Sequence, residues 1–173
     1  MPPVYISYRS NDAAVVQRIV TRCLQTYGPY SVILHPEDSQ PDNTRLEIHI
    51  DNLIHTASTV LLVIGKDWAG LDEFGRFKLS TADVPIQPEV KASLRSDKQV
   101  LVVLVNGVKM PAPELVPEDL HGIFSLPIVE LRDESFRADL NQLIHPPTLV
   151  GHLRYFFSLE WLNAHTRSHS ANP

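Results

Sequence analysis

Three residues at two places in the chain have types and spacing that could do chemistry. Glu89 follows Pro88 at the head of a predicted helix. A carboxylate there meets the free backbone N–H groups of the first turn and the positive end of the helix dipole, and both favour its ionised form. An anion so placed can stabilise a developing positive charge, such as the oxocarbenium ion formed when a glycosidic bond breaks. Tyr8 and Arg9 stand at the end of the opening run Val4-Tyr5-Ile6-Ser7. Arg9 offers a fixed fork of donors suited to phosphate or carboxylate, and Tyr8 a ring face and a hydroxyl. Each has a plainer reading. Glu is a common residue in a first helical turn, Tyr8 can simply cover the end of a strand, and Arg9 can lie in solvent. The residue types leave both readings open.

Other chemistries lack their residues. The chain has eight histidines, but His49 and His55 are six apart on one predicted helix, which does not put them on one face. There is no Cys-x-x-Cys and no His-Glu-x-x-His, so neither metal nor cofactor is expected. The phosphate-gripping Gly-x-x-x-x-Gly-Lys-Ser/Thr and Gly-x-Gly-x-x-Gly are absent, as is the Gly-x-Ser-x-Gly nucleophile elbow. A phospho-receiver needs an acidic pair and an Asp at strand ends; the first strand here ends in Ser-Tyr-Arg and the third in Ile64-Gly65-Lys66.

The elements that must position Glu89, Tyr8 and Arg9 follow from the hydropathy pattern. Positions Val16, Ile19, Val20, Cys23, Leu24 and Tyr27 recur at helical spacing after a Ser10 cap, and Gly28-Pro29 stops that helix. Residues 31–34 form a second strand, followed by a polar loop with two prolines over residues 35–43. Thr44 and Glu47 suggest a capping box for a helix burying Leu46, Ile50, Leu53 and Ile54. Residues 59–64 and 99–105 are almost wholly apolar, as central strands covered on both faces are. Residues 65–84 form a long irregular loop, of the kind that is usually functional or mobile, before a helix with Pro88 in its first position. A proline-rich connection over residues 106–120, an edge strand over 127–131 and a helix bearing Phe136, Leu140, Leu143 and Ile144 complete the pattern. Five strands alternating with helices imply βαβ units in a parallel sheet. Past Pro146-Pro147, Val150, Leu153, Phe157 and Trp161 share a helical face in a largely apolar stretch, so the chain divides into a domain over 1–146 and a terminal apolar helix with a frayed tail over 147–173.

Composition sets the outer limits. A chain of 173 residues with 43% hydrophobic and 20% charged residues is an ordinary globular domain. The net charge of −5 disfavours a general nucleic-acid binder. The single Cys23 excludes an intramolecular disulfide and reads as a buried thiol. Met1-Pro2-Pro3 lacks the features of a signal peptide, and no apolar run approaches the ~20 residues of a membrane span, so a soluble, cytoplasmic protein without membrane contact is expected.

The ordered set of motifs resembles the Toll/interleukin-1 receptor (TIR) domain, most closely its bacterial branch. It comprises Ile6-Ser7-Tyr8-Arg9, the Glu37-Asp38-Ser39 loop, Val63-Ile64-Gly65-Lys66-Asp67-Trp68, Pro88-Glu89-Val90, Val102 to Gly107 with Met110-Pro111, Leu120, and Phe136 through Ile144. The resemblance spans roughly residues 4–145. It implies a flavodoxin-like α/β fold with a five-stranded parallel sheet. It also implies cleavage of NAD at the nicotinamide–ribose bond, giving ADP-ribose or a cyclic isomer, with Glu89 as the catalytic residue. Tyr8, Arg9, Asp38 and Trp68 would bind the substrate, and no cofactor beyond NAD itself is implied. Several active members carry an aromatic residue four positions before the catalytic glutamate; Pro85 stands there, and Trp68, Phe74 or Phe77 could take its part. Family members act by self-association or by binding other TIR domains. The loop containing Pro36, Glu37, Ser39 and Pro41 would complete a neighbour's site, and activity would wait until assembly orders the loop over residues 65–84. The same resemblance admits a non-catalytic adaptor, and a sensor or effector domain fused to or encoded beside it in antiviral defence.

Overall fold

The computed structural model describes residues 3–34, 43–80 and 86–144. Asp38, the expected assembly loop (Pro36, Glu37, Ser39, Pro41), Pro85 and the expected terminal helix over 147–173 lie outside the described residues.

Five strands form one parallel sheet: β1 (Val4–Ser7), β2 (Val32–Leu34), β3 (Thr59–Ile64), β4 (Gln99–Val105) and β5 (Ile128–Leu131). Their spatial order is β2-β1-β3-β4-β5, with every neighbouring pair parallel. This is the flavodoxin-like arrangement expected from the alternation of strand and helix patterns. The apolar runs of β3 and β4 are buried along nearly their whole length, because helices cover a parallel sheet on both faces. One face gathers Tyr5, Val60, Leu62, Ile64, Val102 and Leu104 against Ile50 and Ile54 of α2 (Asn43–Thr56) and Ile86 and Val90 of α3 (Ile86–Arg95). Right-handed crossovers carry α1 (Ala13–Tyr27), with Val16, Ile19, Val20 and Cys23 buried, to the other face, because the step from β1 to β2 runs opposite to the others. In α4 (Phe136–Ile144), Phe136, Leu140, Leu143 and Ile144 are buried, as their spacing predicts.

Several local expectations are corrected. Ser10 does not cap α1: residues Ser10–Asp12 make a 3-10 turn, closed by the Asp12 N–H to the Arg9 carbonyl at 2.8 Å, and α1 begins at Ala13. Leu24 lies on the rim of the buried stripe and is exposed. α2 starts at Asn43, one residue before the expected cap Thr44. Pro88 is the third residue of α3, still within the first turn where a missing N–H costs nothing. The long loop after β3 is not irregular in its described part. Leu71 and Phe77 make an antiparallel bridge around a turn, and Lys78–Ser80 form a 3-10 turn. The Asp72 carboxylate ties that turn by accepting the Phe74 N–H at 2.9 Å, the Arg76 N–H at 2.9 Å and Arg76 Nε at 2.8 Å.

The strand order reverses between β1 and β3, and in such sheets the crevice beyond the carboxyl ends of the two strands is where ligands bind. The two strand exits meet closely there. Gly65, directly after β3, lies against the buried carboxylate of Asp12, so close that a Cβ on residue 65 would collide with it. Gly65→Ala is therefore expected to displace Asp12 and to cost about 1–3 kcal/mol in chemical denaturation. Adding Asp12→Ala to that variant is expected to return part of the loss; strictly additive effects would show that the two residues do not share this contact.

Candidate active site

Glu89 falls on the buried stripe of α3, three residues after Ile86 and four before Ser93, and is 3% exposed. Its main-chain carbonyl accepts the Ser93 hydroxyl at 2.6 Å. Strand alternation puts Tyr5 and Ser7 of β1 on one face, the one Glu89 meets, and both are buried to within 1% of full burial. The two hydroxyls lie close enough to the Glu89 carboxylate to hydrogen-bond to it and hold its pKa down, Ser7 more than Tyr5. Neither completes a well-formed hydrogen bond as the side chains stand: Tyr5 Oη, Ser7 Oγ and Glu89 Oε2 are all buried without a satisfied partner.

Burial decides the electrostatics. Loss of water around Glu89 raises its pKa from 4.5 to about 7, against the pull of the two hydroxyls. Its position in the first helical turn leads one to expect a fully ionised side chain; desolvation outweighs that preference. Tyr5 is pushed far above its ordinary value, first by its own burial and then by the neighbouring carboxylate, so it remains a protonated donor.

Arg9 does a different job from the one its type suggests. It donates from Nε to the Trp68 carbonyl at 3.1 Å and from Nη2 to the Lys78 carbonyl at 2.6 Å, fastening both ends of the loop after β3 to the exit of β1. Burial lowers its pKa, while the carboxylates of Asp67 and Asp12 act in the opposite direction. Asp67 in turn accepts Asn11 Nδ2 at 3.2 Å and pairs with Lys78 Nζ at 3.4 Å. The pKa of Asp12 is raised by burial and by Asp67, with Arg9 opposing.

Of the substrate-binding residues expected from the sequence, Arg9 and the half-buried Tyr8 stand at the mouth of the crevice. Trp68 is fully buried in the hydrophobic core, with Nε1 unpartnered, and its ring supports the loop. Phe74 is exposed at the turn, under the Arg76 guanidinium, and Phe77 is half-buried. Tyr5, Ser7 and Asp12 escaped notice in the sequence. The signal for the first two was their period-two spacing in an otherwise apolar strand, opposite a carboxylate at an apolar helical position. Among the described residues, no three His, Cys, Asp or Glu side chains gather as metal ligands would, and no helix is long and apolar enough to cross a membrane.

Two outcomes are expected. The unfolded chain releases the Glu89 proton near 4.5, whereas the folded protein keeps it until about 7. The native state thus binds the extra proton in between, so this group's contribution to stability is full below about 4.5 and is lost as pH rises through about 7, at most roughly 3 kcal/mol. Urea denaturation of Glu89→Gln from pH 5 to pH 8 should lack that loss; matching profiles for variant and wild type would contradict it. Arg9→Lys keeps the charge but cannot span both carbonyls, and amide exchange in residues 68–80 should quicken about tenfold.

The fold can now be compared with known proteins. A prokaryotic SEFIR domain of known crystal structure superposes with a TM-score of 0.50 at 18% identity, covering 83% of this chain and 96% of its own. At that identity the likeness shows the fold alone. No curated protein matches the chain. Residues 4–144, from the first strand to the end of α4, match the TIR domain family. The chain thus belongs to the TIR domain family, whose members act in signalling and associate with other TIR domains.

Proposed function

We propose that this TIR domain is an NAD glycohydrolase that cleaves the nicotinamide–ribose bond, with Glu89 as the catalytic carboxylate and self-association as its activator. The observation that carries the reading is a buried carboxylate with a pKa near 7 on the first turn of α3, beside the crevice where the strand order reverses. In the reaction, the electron pair of the C–N bond leaves with nicotinamide and quenches its pyridinium charge. The ribose keeps a cation at its anomeric carbon. An ionised Glu89 stabilises that cation, and a carboxylate in a site shut off from water does so more strongly than one in solvent. Water then adds and loses a proton, giving ADP-ribose; attack by a ring nitrogen of the substrate's own base gives a cyclic isomer. Tyr8 and Arg9 bind the ribose and phosphates at the mouth, with Asp38 as a further candidate contact.

Glu89 is 3% exposed, so substrate reaches it only after the site opens, and assembly with further TIR domains supplies the energy for that opening. The same burial favours a second reading, a non-catalytic module that acts through TIR–TIR association and by recruiting a sensor or effector domain in antiviral defence.

NAD consumption with product identification separates the two, measured at several protein concentrations with a crowding agent between pH 6 and pH 8.5. Turnover is expected to rise with protein concentration and to fall at least about a hundredfold in Glu89→Gln. Because the reaction needs the ionised form, the rate should climb with pH through about 7. Folded protein that self-associates and consumes no NAD at any concentration would leave the interaction module as the function.

A further inference from the structure

Resting on Glu89 as the reacting carboxylate, we propose that Tyr5 and Ser7 are its positioning residues. Their hydroxyls, presented from one face of β1, orient the Glu89 carboxylate and supply the hydrogen bonds that let it hold charge where water is shut out.

The geometry is the main support. Tyr5 Oη, Ser7 Oγ and Glu89 Oε2 are three buried polar atoms, each without a hydrogen-bond partner as the side chains stand. Orphaned buried hydroxyls are costly, and a strand that only needed to fill the core would carry Phe and Ala or Val at these positions. Tyr5 contributes its ring to the hydrophobic cluster, a task the hydroxyl does not assist. Ser7 pairs with Leu62 in the ladder through its main chain, which its side chain does not assist either. What the two hydroxyls share is the carboxylate between β1 and α3.

Among the described residues, several charges on and around α3 pair with one another. Lys91 binds Asp119 of the 3-10 helix Glu118–Ser125 at 2.6 Å, Arg95 binds Asp51 of α2 at 3.7 Å, and Lys78 binds Asp67 at 3.4 Å. Arg9 is committed to the carbonyls of Trp68 and Lys78. The interactions that act on the Glu89 carboxyl, apart from burial itself, come from Ser7 and Tyr5. Burial and the adjoining carboxylate keep Tyr5 protonated throughout the working range, so its hydroxyl can donate whether or not Glu89 is charged. Neither hydroxyl exchanges a proton in the reaction. Each fixes the direction of a charge that must face the anomeric carbon when nicotinamide leaves.

The test uses the full chain with Tyr5→Phe and Ser7→Ala, which remove one oxygen each and keep the shape of the strand. Glu89 is titrated by carbon-13 NMR of side-chain carboxyls, with Glu89→Gln identifying the signal, so the first readout needs no turnover. Loss of a hydrogen bond to a charged group should raise the Glu89 midpoint by about one pH unit in each variant and further in the double variant. Ser7→Thr, which restores a hydroxyl, should return it. In NAD turnover, kcat at pH 7 should fall about fivefold in each single variant and recover at higher pH, with KM nearly unchanged. A Glu89 midpoint that stays put in both folded variants overturns the proposal, whatever the activity. A midpoint that moves as expected in a protein that cleaves no NAD upholds the positioning and overturns the catalytic reading instead.

Discussion

A carboxylate held where water cannot reach it is the constraint on which this fold turns. Glu89 can sit under the end of β1 only because three placements coincide. The strand presents Tyr5 and Ser7 to the same face, the helix starts at Ile86 so that position 89 falls on its buried stripe, and β1 lies next to β3 so that α3 crosses over it. Period-two alternation makes the first of these unforgiving. A slip of one residue in β1 would turn both hydroxyls to the α1 side and put Ile6 against the carboxylate. Registry, helix start and strand order are thus bound to one another through a single ionisable group.

The mouth of the crevice is held by quite different means. Around Arg9 the stabilising groups are main-chain carbonyls and a balanced set of charges, Arg9 and Lys78 against Asp12 and Asp67. The loop bearing Trp68 keeps its present shape while the guanidinium remains between those carbonyls. An anionic ligand seeking Arg9 must use its remaining donors or draw it from the loop, so ligand binding and loop order share one free energy. Trp68 links this network to the core: the residue whose carbonyl accepts Arg9 fills the apolar cluster with its ring, and a shift at the mouth is felt in the packing.

The sequence was most readable where one physical effect dominates. β3 and β4 are almost wholly apolar, and their observed bounds, Thr59–Ile64 and Gln99–Val105, coincide with the hydropathy runs. It was less readable where local signals compete. Thr44 and Ser10 are both good capping residues, yet the helices begin elsewhere because neighbouring residues were free to extend or tighten the first turn. Trp68 entered as a possible substrate contact through the family resemblance alone, and its burial in the core was not visible from the sequence. Glu89 was visible as a candidate, but its ionisation was not, since the helix terminus and the loss of solvent act in opposite directions and only the three-dimensional burial gives their relative size. The hydroxyls of Tyr5 and Ser7 were hidden for the same reason. Their importance depends on what stands opposite them, eighty residues away along the chain.

The case for function at Glu89 rests on what stability alone would have chosen there. A carboxylic acid at an apolar helical position, desolvated and with no cation pairing with it among the described residues, makes the native state less stable as soon as it ionises. An apolar side chain would pack better at that position, and an amide would avoid the charge. The first-turn preference for Glu offsets part of that cost, but burial outweighs it and leaves the pKa raised to about 7. Tyr5 and Ser7 deepen the anomaly, each adding a polar atom to a core that would be sounder without it. Three adjacent departures from the rules that govern the rest of the sheet, all in one direction, are what a sequence retains when the polar group itself is needed. That pattern supports the proposed role of Glu89, the carboxylate that β1 and α3 enclose.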